Sequence, residues 1–199
     1  MSVSTNESEN LIETDEELFS RYERLYDNDA LKILLERHRE ELTFFIYGML
    51  KNMEDAEDIM LDAYATIASR TAKFSRKSSF KTWLFGIARN LACNSLRKRR
   101  FFFLPLNEEI DTAESDSGIP DVELLKEERN KILYESLKAI NPEYRQVLHL
   151  MYFENMDTDE IAEVLGKSKK QIYNLVTRGR EALKKKMEEA GYTHSGTDI

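Results

Sequence analysis

The sequence predicts an all-α fold of two small helical domains joined by a flexible acidic linker. Three observations carry this. Apolar residues recur at intervals of three and four along most of the chain. Glycine and proline are scarce, seven and three in 199 residues, which favours helices over turns. Charge is also laid down in blocks rather than mixed. Residues 1–29 hold nine acidic and two basic side chains, and residues 70–100 hold ten basic and no acidic ones. Residues 101–128 hold nine acids against Lys126, and residues 167–186 hold eight basic side chains against Glu181.

The elements follow in order. Residues 1–27 form an acidic segment with a polar start, MSVSTNESENLIETDEE, unlike a secretory signal. Residues 30–50 place Leu31, Leu34, Leu35, His38, Leu42, Phe45, Ile46 and Met49 on one helical face. Asn52 to Asp55 breaks this helix from the next, whose stripe is Ala56, Ile59, Met60, Ala63, Tyr64, Ile67 and Ala68. Ser78 or Ser79 caps a third helix with Phe80, Trp83, Leu84, Ile87, Ala88 and Leu91 inward. These stripes can bury one another as a bundle over residues 28–100. Residues 101–122, bracketed by Pro105 and Pro120 and mostly acidic and aperiodic, read as the linker.

The second unit covers 123–188, and a loose tail follows from 189. Its first stripe is Leu124, Leu125, Ile132, Leu133, Leu137 and Ile140. Asn141-Pro142 is a cap followed by a first-turn proline, opening a helix with Tyr144, Val147, Leu148, Met151 and Tyr152. Asp157 to Glu160 and Ser168 to Gln171 have the form of capping boxes. Between them, Ala162, Gly166 and Ile172 have the small–turn–seal spacing of a helix-turn-helix. The outward face of its second helix carries Lys169, Lys170, Tyr173, Asn174, Thr177, Arg178 and Arg180. Lysines in a first turn oppose the helix dipole, which suits contact with phosphates. An ordinary helical hairpin with a basic solvent face is the bland alternative.

Composition narrows the function classes. The net charge is −8, yet two basic islands in an acidic background suit a nucleic acid or another polyanion. Cys93 is the single cysteine, so no internal disulfide forms and a reducing compartment is expected. No apolar run approaches the roughly 18–20 residues of a membrane span, so neither membrane insertion nor export is expected, and the cytoplasm is the expected location. There is no Gly-rich phosphate loop, metal-ligand cluster or nucleophile constellation, and His38, His149 and His194 are scattered. Neither enzyme activity nor a cofactor is expected.

Together the halves resemble the extracytoplasmic-function group of sigma-70 family RNA polymerase sigma factors, over roughly 28–100 and 123–188. The resemblance rests on DAEDIMLDAY, on FSRKSSFKTWLFGIARNLACNSLRKRR and on DTDEIAEVLGKSKKQIYNLVTRGREALKKK. It implies a sigma-2 domain that binds polymerase and the promoter −10 element, and a sigma-4 domain that reads the −35 element. The polymerase-facing patch is then Asp58, Leu61, Asp62 and Ala65, with Leu61 where the family commonly has glutamine. The −10 candidates are Arg76, Ser78, Ser79, Phe80, Lys81, Thr82, Trp83, Arg89, Asn90, Asn94 and Arg97. In the family the loop captures a flipped base and the helix holds the displaced strand, chemistry suited to basic grooves lined with stacking side chains. Trp83 also lies on the apolar stripe, so core packing competes with DNA contact there. Arg76 stands where the family often has glycine, and Asn94 where it usually has aspartate. The −35 candidates, to bases or phosphates, are Lys169, Lys170, Gln171, Tyr173, Asn174, Thr177 and Arg178. Implied partners are the polymerase core, through the β′ clamp helices and the β flap, promoter DNA, and an anti-sigma factor. A stand-alone helix-turn-helix regulator is the alternative; it accounts for 123–188 but not for the Phe-x-Thr-Trp-Leu segment.

Overall fold

The computed structural model describes residues 13–103 and 128–192. The expectations for residues 1–12, for most of the linker, for Leu124 and Leu125 and for the end of the tail lie outside them. Nine helices and no strand occur among the described residues.

The acidic N-terminal segment contributes a helix absent from the apolar-stripe reading, α1 (Asp15–Leu25). Thr14 accepts from Glu17 N, and the Glu17 carboxylate accepts from Thr14 N at 2.8 Å, so two orphan amides are satisfied at once. Leu18, Phe19 and Tyr22 are its buried face. Asp27 caps α2 (Asn28–Arg37) through the amides of Asp29 and Ala30.

The single helix expected over 30–50 is instead two, α2 and α3 (Arg39–Leu50), broken at His38. The break is a tertiary effect. His38 N bonds Leu35 O, a tightened turn, while its ring is drawn to Asp15 of α1, Nε2 to Oδ2 at 2.5 Å. α3 buries Leu42, Phe45, Ile46, Met49 and Leu50. Asn52 caps α4 (Met53–Ala68), whose buried positions Ala56, Met60, Ala63 and Ile67 all belong to the expected stripe.

α5 (Phe80–Phe103) starts at Ser79, whose hydroxyl accepts from Thr82 N at 3.2 Å. Its burial is wider than one stripe. Phe80, Leu84 and Ala88 are buried as expected, but so are Thr82, Phe85 and Ala92. α5 is covered on several sides, by α1, α3, α4 and a helix of the second unit. Phe85 meets Phe45 at 5.3 Å between ring centroids.

The second unit comprises α6 (Glu128–Ala139), α7 (Pro142–Tyr152), α8 (Thr158–Leu165) and α9 (Lys169–Glu189). Asn141 with Pro142, Asp157 with Glu160, and Ser168 with Gln171 make the expected caps. Gly166 ends α8 at φ 60, a conformation glycine adopts without steric cost. Lys167 N then bonds Ala162 O, closing a Schellman turn. Ile172 is fully buried at the corner. α9 crosses α7 closely: a Cβ on Gly179 would meet Tyr144 Cβ at 3.3 Å and the Leu148 side chain at 3.4 Å.

The two units are not held apart. α3 packs on α7 and α5 on α8, the Phe45 and His149 rings lie 5.7 Å apart, and one continuous apolar core spans both.

Candidate nucleic-acid and protein interfaces

The expected polymerase patch is a physical surface. Asp58, Leu61, Asp62 and Ala65 lie at i, i+3, i+4 and i+7 on α4 and are all exposed. Leu61 is 57% exposed, beside the two carboxylates of the patch. Asp62 also lines a cleft of about 360 Å³ with Ile59, Leu91, Asn94, Ser95, Arg97 and Lys98. Asp62 of the polymerase candidates and Asn94 and Arg97 of the −10 candidates therefore line one groove.

The −10 candidates divide into three groups. Asn90, Asn94 and Arg97 form an exposed row at i, i+4 and i+7 on α5, with Arg89 half-buried beside it. Phe80 and Trp83 belong to an aromatic cluster with Phe19 and Phe74, centroids 5.1–5.7 Å apart across Trp83. Phe80 is fully buried, which corrects its assignment to the DNA-contacting set: it packs beneath the loop instead. Trp83 is half-buried in the same cluster, so the structure favours its packing role.

The third group is the loop before α5 together with the first turn of α5, where Arg76, Ser78, Ser79, Lys81 and Thr82 are each engaged by a carboxylate. Arg76 adopts φ 58, the left-handed conformation glycine favours, and is held there by Ser20 at 3.0 Å and Glu23 at 2.8 Å, both from α1. The backbone amide of Phe80 donates to Glu16 at 3.0 Å. Ser78 donates to Glu163 at 2.7 Å, and the Ser79 and Thr82 hydroxyls donate to Glu160 Oε1 at 3.0 and 2.8 Å. Lys81 pairs with Glu154 at 2.8 Å and with Glu41 at 2.9 Å. Burial would lower the Lys81 pKa, but the hydrogen bonds its ammonium donates to Glu154 and Glu41 outweigh it and hold it above the usual lysine value. Sequence reasoning missed Glu16, Glu23, Glu154, Glu160 and Glu163. Glu160 was legible only as a capping residue, and no local pattern marks the others.

On α9 the candidates Lys169, Lys170, Gln171, Tyr173, Asn174, Thr177 and Arg178 are all exposed on one side of Ile172, Val176 and Gly179. Gln171 accepts from Ser168 N through Oε1 at 2.8 Å, which leaves its amide nitrogen to face outward contacts. Tyr173 is 68% exposed. A basic, amide- and hydroxyl-bearing face on the second helix of a helix-turn-helix is the chemistry that reads a major groove.

Comparison with known proteins finds two matched regions in the chain. Residues 34–102 match the family described as Sigma-70 region 2, and residues 130–183 match Sigma-70, region 4. The chain is 26% identical over 172 residues to the ECF RNA polymerase sigma factor SigW of Bacillus subtilis (strain 168), covering 82% of this chain and 91% of that one. Its fold resembles CnrH, solved in complex with the cytosolic domain of CnrY, with a TM-score of 0.61 at 19% identity over 86% of this chain and 95% of that one. It also resembles the sigma factor RpoE, solved with the anti-sigma factor NepR from Bartonella quintana, with a TM-score of 0.58 at 20% identity over 81% of this chain and 96% of that one. With both regions in order and full-length relatives of that kind, the chain belongs to the extracytoplasmic-function group of the sigma-70 family.

Proposed function

We propose that this chain is a non-enzymatic specificity subunit of RNA polymerase: it binds the core enzyme, recognises −35 and −10 promoter elements and starts transcription of a particular gene set. The carrying observation is the order of the two matched regions, residues 34–102 and then 130–183, each with an exposed face of the required chemistry. Within this reading, Asp58, Leu61, Asp62 and Ala65 meet the β′ clamp helices. Asn90, Asn94 and Arg97, with the hydroxyls of Ser78, Ser79 and Thr82, take the displaced −10 strand. The α9 face takes the −35 duplex, and the second unit also meets the β flap. Neither small unit needs tight DNA binding alone, because tethering both to one polymerase supplies a high effective concentration.

An anti-sigma factor is the expected regulator, as for the RpoE relative, and the cytoplasm is where such a subunit works. Among the described residues no helix is long and apolar enough to cross a membrane.

The test adds purified protein to sigma-free core polymerase with a pool of promoter fragments and sequences the transcripts. New start sites sharing two upstream elements are expected. Background transcription together with sequence-specific duplex binding would instead establish the stand-alone regulator.

A further inference from the structure

The turn after α4 carries a stack of aromatic rings and a guanidinium that none of the candidate faces uses. Tyr26, the C-cap of α1, and Arg70, just beyond α4, both adopt φ 57. The Arg70 guanidinium lies 4.2 Å from the Tyr26 ring centroid and 5.0 Å from that of Tyr22. Arg70 Nη2 also donates to Tyr22 O at 3.3 Å, and the Tyr22 hydroxyl donates to Ala68 O at 2.9 Å. Tyr22 is buried and already ties α1 to this turn, so the joint does not need a second ring. Tyr26 nevertheless sits against the guanidinium with 71% of its surface exposed, and Leu25 beside it is 72% exposed. Arg70 covers one side of the ring, and the rest is open.

The surroundings select the ligand. Residues 70–100 hold ten basic side chains and no acidic one, and Lys73 and Lys77 are exposed together with Arg70. Arg70 meets rings and a carbonyl rather than a carboxylate. The acids flanking Tyr26 are engaged elsewhere, Glu23 by Arg76 at 2.8 Å and Asp27 by Arg21 at 2.6 Å. Arg76 also ties the stack to the −10 loop, because it reaches Ser20 and Glu23 in the last two turns of α1, which Tyr26 closes. An open aromatic ring in a basic setting is what holds an unpaired base, since every base has a π-face. The guanidinium beside it offers N–H donors to a phosphate. Charge complementarity and continuity with the −10 loop favour a nucleic acid strand over an apolar protein segment.

We propose that Tyr26 is a stacking site for an unpaired nucleobase of the displaced strand next to the −10 loop, with Arg70 fixing the ring and meeting the adjoining phosphate. This rests on the sigma-factor reading above and adds α1 to the strand-binding surface. The site is sequence-tolerant, so it holds the opened strand without selecting the promoter.

The test uses the full chain with fluorescein-labelled random single strands and an abasic strand of equal length, read by anisotropy at low ionic strength. Tyr26→Phe keeps the ring. Tyr26→Asn removes it while accepting the left-handed backbone, and thermal melts of both confirm the fold. Stacking predicts that Tyr26→Asn binds base-bearing strands at least about fivefold more weakly, the low end for one base on one ring. Its binding to the abasic strand should be unchanged, and Tyr26→Phe should match wild type on both. Equal binding of base-bearing strands by wild type and Tyr26→Asn would overturn the proposal, as would an equal loss on both strands or no strand binding by wild type. Unchanged strand binding with weaker core polymerase binding would overturn it in favour of a protein contact. Transcription from the promoter pool is read in parallel. If wild type directs no new transcripts the sigma-factor reading fails, while the comparison of base-bearing and abasic strands still decides whether Tyr26 stacks a base.

Discussion

Lys81 Nζ of α5 lies 2.8 Å from Glu154 Oε2, a carboxylate at the end of α7 whose side chain is 3% exposed. The pair bridges the two helical units at a depth where an unpartnered charge is costly. Burial alone would raise the Glu154 pKa, but hydrogen bonds from His149 and Lys81 outweigh it and hold the carboxyl below its ordinary value. Lys81→Met therefore costs about 3 kcal/mol, the low end for breaking a buried pair, because His149 still faces Glu154 at 2.9 Å. Combining it with Glu154→Leu recovers much of that loss. Urea unfolding of the two single variants and the double variant, analysed as a cycle, should yield a coupling of at least about 1 kcal/mol. Additive losses would mean the ion pair contributes nothing specific.

Asp15 provides the acid-sensitive counterpart at the other end of the bundle. Burial raises its pKa, but hydrogen bonds and charge from His38, then Arg37, outweigh that and hold it below the ordinary aspartate value. A depressed carboxylate contributes stability that is fully present above its unfolded pKa and is lost as pH falls through the folded one. Asp15→Asn should therefore lose about 1.5 kcal/mol at pH 7, the low end for a hydrogen bond to a charged group. The deficit against wild type should begin to narrow only once the pH falls below the ordinary aspartate range toward the lowered folded pKa. Thermal melts at half-unit steps from pH 7 to 3 check this. A constant difference across the series would show that Asp15 acts through shape alone.

The helical stripes and caps were legible because they are local. The offsets of three and four through α4, the Asn141-Pro142 start and the two capping boxes around Gly166 each sit within a few residues. α1 was legible in part: Thr14-x-x-Glu17 ahead of Leu18, Phe19 and Tyr22 is a capping box with a short apolar face, obscured by the acidic composition around it. The break at His38 was not legible, since the apolar spacing runs straight through it and only the distant Asp15 interrupts it. The burial of Thr82 and Phe85 follows from contacts with other elements, which periodicity within α5 does not encode. The same applies to the site. The faces of α4 and α9 were readable from helical geometry, whereas the carboxylates on the −10 loop and the start of α5 come from α1, α3, α8 and the turn after α7 being folded onto them.

Lys51 ends α3 at φ 60, and its ammonium sits where ammonium groups are unwelcome. Burial first, then Arg145 and Lys138 of the second unit, push its pKa down to about 8. Below pH 8 the lysine is charged both folded and unfolded, so the full penalty is present. Between about 8 and 10.5 the unfolded chain binds the extra proton, so folding stability rises with pH. Lys51→Gly removes both the charge and the left-handed strain. At pH 7 it should stabilise by roughly 2–3 kcal/mol, of which about 1 is backbone and the remainder is the screened charge penalty. By pH 10 most of the charge part should be gone, leaving chiefly the backbone part. Denaturant midpoints for both proteins at pH 7 and 10 measure this, and a gain that does not shrink with pH would rule out the charge contribution.

The α4 patch lends itself to a reversal of charge, because Asp58 and Asp62 sit one turn apart and both are exposed. Surface substitutions away from packed features usually stay within about 0.5 kcal/mol of wild type, so Asp58→Lys with Asp62→Lys should leave the melting curve almost unchanged. At an interface the same change places two like charges against any basic partner surface, which costs several kcal/mol. Core polymerase binding, followed by gel filtration or biolayer interferometry, should fall at least a hundredfold. Leu61→Ser should weaken it further by removing an apolar anchor that is 57% exposed. Because Asp62 also lines the cleft with Asn94 and Arg97, single-strand binding by the free protein is the internal control. Adding lysine there should leave strand binding intact or raise it. Retained polymerase binding by the double variant would move the partner surface off α4, and lost strand binding would mean that the cleft had been deformed rather than recharged.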